Sequence, residues 1–238
     1  MSINIYKKTK VTKIEKLKTK VKIYAENSGK SQIIDADIVL NAMGVTANIE
    51  NIGLEEIKIV TDQGAISINE FNQTSIPTIY AIGDVSGPPW LAHVASAQGH
   101  VAAEHASGYP SDPLDYNNIP SCIYCQPQVA SLGMTELAAK EAGHNIKVGR
   151  FDFGASGKAL ASGNPTGFVK IIFDDQYGEL LGCHIVGSEA TELIAELSVA
   201  KTLETTWQEI AMTIHAHPTL SEAVMEATLD AFGQSLHQ

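Results

Sequence analysis

The sequence predicts an α/β segment followed by an α+β domain, the latter an antiparallel sheet with helices. Three observations carry this reading. Apolar residues interleaved with lysines fill positions 3–40, and residues 27–30, Asn-Ser-Gly-Lys, mark a hairpin turn. The compact apolar runs at 36–43 and 79–82 read as strands buried on both faces, as in an α/β sheet. From residue 119 onward, strands alternate with short helices and end in longer ones, which fits an α+β unit.

The totals bound what such a chain can do. Its 238 residues, 44% hydrophobic and 18% charged, suffice for a large core and one or two domains. A net charge of −11 disfavours nucleic acid and anionic membranes as partners. No apolar run reaches the roughly 18 residues of a membrane span, and the first ten residues lack an apolar signal core. A cytoplasmic protein is the expectation. Three cysteines, an odd count, do not make a secreted disulfide framework.

The elements are taken in order. Val11, Ile14, Leu17, Val21 and Ile23 belong to the first strands, and Ile33 and Ile34 begin the return. The lysine-rich stretch at 7–22 reads as a solvated strand face rather than an anion site, given the acidic whole. Residues 36–43 form an apolar strand that ends at Gly44, and 45–73 are loop-rich with a short strand at 65–68. The strand at 79–82 ends in Gly83-Asp84. A carboxylate there, after a glycine that admits close approach, suits hydrogen bonding to ligand hydroxyls, and equally suits a plain strand-to-turn corner. A helix over 91–106 comes after Pro88-Pro89, and its free N–H groups suit a carbonyl or an anion. His100 and His105 read as surface residues of that helix. Residues 108–118 are a linker by composition. Beyond it come strands at 121–131, 146–153, 167–174 and 180–186, and helices at 135–142, 188–203, 207–213 and 221–232. Cys122 and Cys125 fall within a predicted strand, where positions three apart face opposite sides, so neither a redox nor a zinc role is expected. No metal site is expected elsewhere.

Residues 214–222, I-H-A-H-P-T-L-S-E, carry the densest chemistry. Pro218 restricts His217 to an extended approach to a helix start, which Thr219 or Ser221 can cap. Glu222 lies one turn on. A rigid imidazole with a carboxylate folding back onto it is how a general base is oriented. The same residues also suit a capped helix with two incidental histidines, and the motif alone does not separate the two.

Three segments together resemble one family. T-S-I-P-T-I-Y-A-I-G-D-V at 74–85 is similar to the second flavin-binding motif of the flavin-dependent pyridine nucleotide-disulfide oxidoreductases. P-P-W-L-A-H at 88–93 is similar to the segment that comes after it. H-A-H-P-T-L-S-E resembles the C-terminal motif of the dihydrolipoamide dehydrogenases, and the likeness runs through G-F-V-K-I-I-F-D-D-Q-Y-G-E-L-L-G-C-H-I-V-G-S-E at 167–189. Glutathione reductases share only the His-Pro-Thr core. Mercuric reductases carry terminal cysteines, and this chain has none after Cys183.

The resemblance implies roles residue by residue. Asp84 binds the ribitol of FAD. Trp90, Leu91, Ala92 and His93 lie at the isoalloxazine, and the adjoining helix directs its N–H groups there. Gly44 borders the NAD site, although Val45-Thr46-Ala47 replaces the family's Arg-Arg-Pro and Val94 stands where lysine is common. His217 takes the proton of dihydrolipoyl thiol, and Glu222 holds its ring. This pair serves the other subunit of a homodimer. Lipoyl domains of 2-oxoacid dehydrogenase or glycine cleavage complexes are the implied partners. The implied organisation is an NAD-domain remnant at 1–45, a central FAD segment at 46–115 and an interface domain at 116–238.

The family's two G-x-G-x-x-G fingerprints and its C-x-x-x-x-C redox pair do not occur in these 238 residues. The expectation is therefore a C-terminal half, inactive by itself and retaining little or no FAD. A stand-alone, non-catalytic dimerisation module and a glutathione-reductase-like fragment are the competing readings.

Overall fold

The computed structural model describes residues 3–237. The chain divides into two compact units, Met1–Asn48 and Ile49–Gln238. The first is an antiparallel meander of β1 (Thr9–Lys16), β2 (Val21–Asn27) and β3 (Lys30–Ala36), in the order β1-β2-β3. Ser28 and Gly29 both take positive φ, at 50° and 79°, as the two-residue turn between β2 and β3 requires. Lys10, Lys13 and Lys16 stand exposed along β1, in keeping with a solvated strand face.

The apolar run at 36–43 departs from expectation. β3 ends at Ala36, and the rest of the run forms no strand, with Ile38 85% and Leu40 88% exposed. A strand buried on both faces needs a sheet to pair with and packed layers over both faces. Among the described residues none pairs with residues 37–43.

The second unit begins with a small hairpin, β4 (Thr61–Asp62) and β5 (Ala65–Ile66). Leu54, Ile59, Ile66 and Ala81 form a small core beside it. Residues 79–82 also depart from expectation: a single bridge between Gln73 and Tyr80 replaces the strand, and Ile82 is 40% exposed. α1 (Ala92–Ser107) then runs for 16 residues and closes on Gly108 in the left-handed region at φ 76°.

The remainder is one antiparallel sheet with helices on both faces. Its strands are β6 (Ser121–Ile123), β7 (Gln128–Gly133), β8 (Ile146–Asp152), β9 (Phe168–Asp174) and β10 (Leu180–Gly187), in the order β6-β7-β10-β9-β8. The strand expected over 121–131 is broken, because residues 124–127 turn between β6 and β7. Its helices are α2 (Glu136–Glu141), α3 (Gly157–Ala161), α4 (Ala190–Thr202), α5 (Trp207–Met212) and α6 (Glu222–Asp230). Thr135 caps α2 by accepting from Ala138 N–H at 3.1 Å. The short α3, capped by Ser156, has no counterpart among the helices expected from sequence.

Period-2 alternation sorts the sheet's two faces. Val169, Ile171, Phe173, Cys183 and Ile185 pack with Ile194 and Leu197 of α4 and Val224 of α6. Ile172 and Leu181 turn to the other face, against Ala139 of α2. Each such fully buried side chain contributes about 1.5–3 kcal/mol. Gly149 decides how closely α6 lies on β8. A Cβ there would stand 2.6 Å from Ala231 N and closer still to Ala227 O, so only glycine fits under the helix. The indole of Trp207 stacks on Phe232 at 4.1 Å and joins the ends of α5 and α6.

Candidate active site

The turn into α6 brings His217 and Glu222 together. His217 Nδ1 lies 2.9 Å from Glu222 Oε1. A carboxylate only accepts, so Nδ1 carries the proton and Nε2 is left with a free lone pair. The ring is 79% exposed, whereas Glu222 is 27% exposed. Glu222 Oε2 accepts the Thr219 N–H at 2.8 Å, and Thr219 Oγ1 donates to Ala216 O at 2.6 Å. Contrary to the sequence-based expectation, neither Thr219 nor Ser221 caps α6 with its side chain: Glu222 itself reaches back over the turn. The Thr219 N–H, and then His217, hold the Glu222 carboxyl below the ordinary range, so it is ionised at neutral pH.

His215, two residues earlier, is a different kind of group. Its Nε2 lies 2.7 Å from Glu196 Oε1 of α4, and its Nδ1 lies 2.9 Å from Thr213 O. Both partners only accept, so the two contacts together favour the doubly protonated imidazolium. Glu196 accordingly pushes its pKa up. The ring is 4% exposed. It ties the 213–217 loop to α4. Sequence spacing alone could not separate the two histidines. The sorting signal is Glu196, 19 residues away from His215.

A cavity of about 100 Å³ adjoins the pair, lined by Phe151, Ser156, His217, Glu222, Glu226 and His237 among others. Sequence reasoning missed the last two. Glu226 lies four residues after Glu222 on α6, the spacing that sets two side chains on one helix face.

The other implied residues form a separate group. Asp84 is exposed in the 3-10 turn Gly83–Ser86, and Gly83 takes φ 71°. Gln98 of α1, 3% exposed, fastens that turn: its Oε1 accepts the Gly83 N–H at 2.7 Å and its Nε2 donates to the Tyr116 hydroxyl at 2.8 Å. Leu91 is the N-cap of α1 and Ala92 its first residue, and no side chain caps this end. Its first N–H groups therefore remain open to an acceptor. Trp90 is 37% exposed, and His93 Nε2–H donates to Pro120 O at 2.9 Å. No hydrogen bond among the described residues joins this group to His217 and Glu222. Gly44 lies in the first unit, exposed, at φ 99°.

The three thiols are free. Cys122 sits in β6 against the core, and burial pushes its pKa up. Cys125, in the turn, is exposed with Sγ 3.0 Å from Pro127 O. Burial pushes the Cys183 thiol up strongly. Among the described residues no group of three or more His, Cys, Asp or Glu could hold a metal ion, and no helix is long and apolar enough to cross a membrane.

Two family models match in tandem. Residues 1–99 match the pyridine nucleotide-disulphide oxidoreductase model, and residues 119–228 match that family's dimerisation domain. The chain belongs to the pyridine nucleotide-disulphide oxidoreductase family. Among curated relatives of this family member, dihydrolipoyl dehydrogenase of Rhizobium etli is 50% identical over 237 residues, 99% of this chain and 49% of that protein. The Bacillus subtilis dihydrolipoyl dehydrogenase is 49% identical, covering 91% of this chain and 46% of its own length. The crystal structure of LpdA from Mycobacterium tuberculosis superimposes with a TM-score of 0.85 at 25% identity, over 92% of this chain and 48% of that one. The HOCl-induced flavoprotein disulfide reductase RclA of Escherichia coli, at 21% identity and a TM-score of 0.84, shares the fold over 92% of this chain and 50% of its own. The chain thus spans about half the length of the relatives it matches.

Proposed function

We propose that this chain is the C-terminal part of a dihydrolipoamide dehydrogenase, in which His217 is the acid/base toward the dithiol and Glu222 orients it. One observation carries the reading: His217 gives Nδ1 to Glu222 at 2.9 Å while 79% of its side chain stays exposed. In that arrangement Nε2 accepts the proton of a thiol S–H bond, leaving a thiolate. The imidazolium that forms donates Nδ1–H to Glu222, and Thr219 N–H keeps that carboxylate ionised.

Family membership implies FAD and NAD for the complete enzyme. The residues here fit the ribitol and ring side of a flavin. Asp84 is exposed on the turn that Gly83 opens, and α1 beyond it has an uncapped N-terminus that favours negative charge. Bound FAD would supply the two-electron transfer between dithiol and NAD, which no residue of this chain can perform. Lipoyl domains are the proposed macromolecular substrate.

Pairing of two copies is part of this reading. Val199 at 59%, Leu203 at 68%, Met212 at 81% and Ile214 at 95% exposure line α4, α5 and the loop before His217. Such a set of exposed large apolar side chains favours a subunit interface. The same observation favours the second reading, a non-catalytic dimerisation module, as a description of the isolated chain.

The deciding experiment supplies the complementary N-terminal segment of a dihydrolipoyl dehydrogenase in trans and measures lipoamide-dependent NADH formation. The mixture with this chain turns over, and the mixture with His217→Gln is slower by about 10²–10⁴-fold. Equal turnover in the two mixtures overturns the role of His217. Turnover by this chain alone overturns its reading as a part.

A further inference from the structure

Glu226 is 2% exposed, yet it carries a carboxylate. Burying such a group is costly unless hydrogen bonds satisfy it. Here those hydrogen bonds come from two adjacent residues, Leu236 and His237. Oε2 accepts the N–H groups of Leu236 at 3.0 Å and His237 at 3.2 Å, and Oε1 accepts His237 Nδ1–H at 2.7 Å.

This is the Glu222 arrangement repeated one helical turn later. Glu222 also takes an imidazole Nδ1–H on one oxygen and a backbone N–H on the other. Both imidazoles keep Nε2 free, and both pairs line the same cavity of about 100 Å³. His237 further borders a neighbouring hollow of about 180 Å³, with Arg150, Asp152 and Asp230, so its ring stands between the two.

We propose that Glu226 is a positioning residue for the His217–Glu222 pocket: it pins Leu236 and His237 and holds the His237 ring there as a wall, a second carboxylate-oriented imidazole. Residues 233, 234, 236 and 237 are exposed, so their own burial adds little to hold the segment in place. Gln234 N–H stays bound to Leu229 O at 2.9 Å, so loss of the buried carboxylate would release Leu236 and His237 beyond it, and the His237 ring would leave the pocket. The geometry of this wall stands apart from the acid/base reading of His217, while its consequence for turnover rests on that reading.

The test uses the chain itself, by NMR. In Glu226→Gln, amide hydrogen exchange at Leu236 and His237 accelerates at least about tenfold, while Ile171 and Cys183 in the sheet keep their protection. In His237→Ala, which leaves α6 unaltered, Leu236 remains protected through Glu226, but the ring Cε1–H signal of His217 moves. It moves in Glu226→Gln as well. Unchanged exchange at Leu236 in Glu226→Gln overturns the pinning. A His217 signal unmoved in both variants overturns the wall. If Glu226→Gln fails to fold, the His237→Ala spectrum decides alone. Normal turnover in the His217→Gln mixture, together with these spectra, would discard the acid/base role and keep the pinned wall.

Discussion

Gly149→Ala is the perturbation whose size the structure fixes most directly. The added Cβ would stand 2.6 Å from Ala231 N, and side-chain carbons essentially never approach closer than 3.0 Å. The backbone must therefore separate by at least about 0.4 Å (3.0 − 2.6) at Ala231, and further at Ala227 O. Both obstacles are backbone, so no rotamer change relieves them. Overpacking of this kind costs about 1–3 kcal/mol, and rigid neighbours place it near the upper figure. The lower entropy of the unfolded alanine chain offsets about 0.4–1 kcal/mol. A net loss of about 2 kcal/mol should lower Tm by about 4–8 °C for a body of this size. Differential scanning calorimetry at one fixed protein concentration reads it, since self-association would otherwise move Tm. Because α6 carries Glu222, the His217 ring signal should move with it. An unchanged Tm, or a lowered Tm with α6 and His217 undisturbed, would refute the claim that this glycine sets the seat of the helix.

The same contacts give further expected outcomes. Glu222→Ala removes the acceptor for both His217 Nδ1–H and Thr219 N–H, and should lower turnover of the reconstituted enzyme by about 10-fold or more as the ring loses its tautomer and orientation. A variant as fast as wild type rules out the orienting role. The His215 pKa is raised by Glu196, so its stabilisation is full below its unfolded value of about 6.5 and is lost as pH rises through the folded value. His215→Gln should flatten the fall in stability as pH rises above about 6.5, read by urea midpoints, and an equally steep profile in the variant contradicts the assignment. Glu222 runs the other way: its pKa is depressed, so its contribution is present above about 4.3 and is lost as pH falls through the lower folded value. Met212→Asp with Leu203→Asp should shift light-scattering mass from dimer toward monomer. A paired double variant would locate the contact elsewhere.

Where the sequence read well, local physics was sufficient. The turn at 27–30 and the Thr135 cap depend on neighbours a few residues away. The His217–Glu222 pair was legible for the same reason, because five residues and a proline set its geometry. The apolar runs at 36–43 and 79–82 were misread because their composition reports what they could bury against, and no strand of the described chain offers it. The joined strand at 121–131 failed at residues 124–127, where the bend includes Pro127, which has no N–H to give to a continuous strand. Glu196 and Glu226 escaped notice because their partners lie 19 and 11 residues away and are set by helix packing. In sequence, both look like ordinary solvated helix charges.

The bond from His215 to Glu196 ties α4 to the loop that carries His217. Glu196 sits on α4, three residues from exposed Val199, and its other end holds a loop two residues short of His217. Whatever seats α4 against another molecule therefore also bears on the loop that leads to His217. If binding at the His217 ring and the seating of α4 are linked through this bond, each strengthens the other by the same free energy.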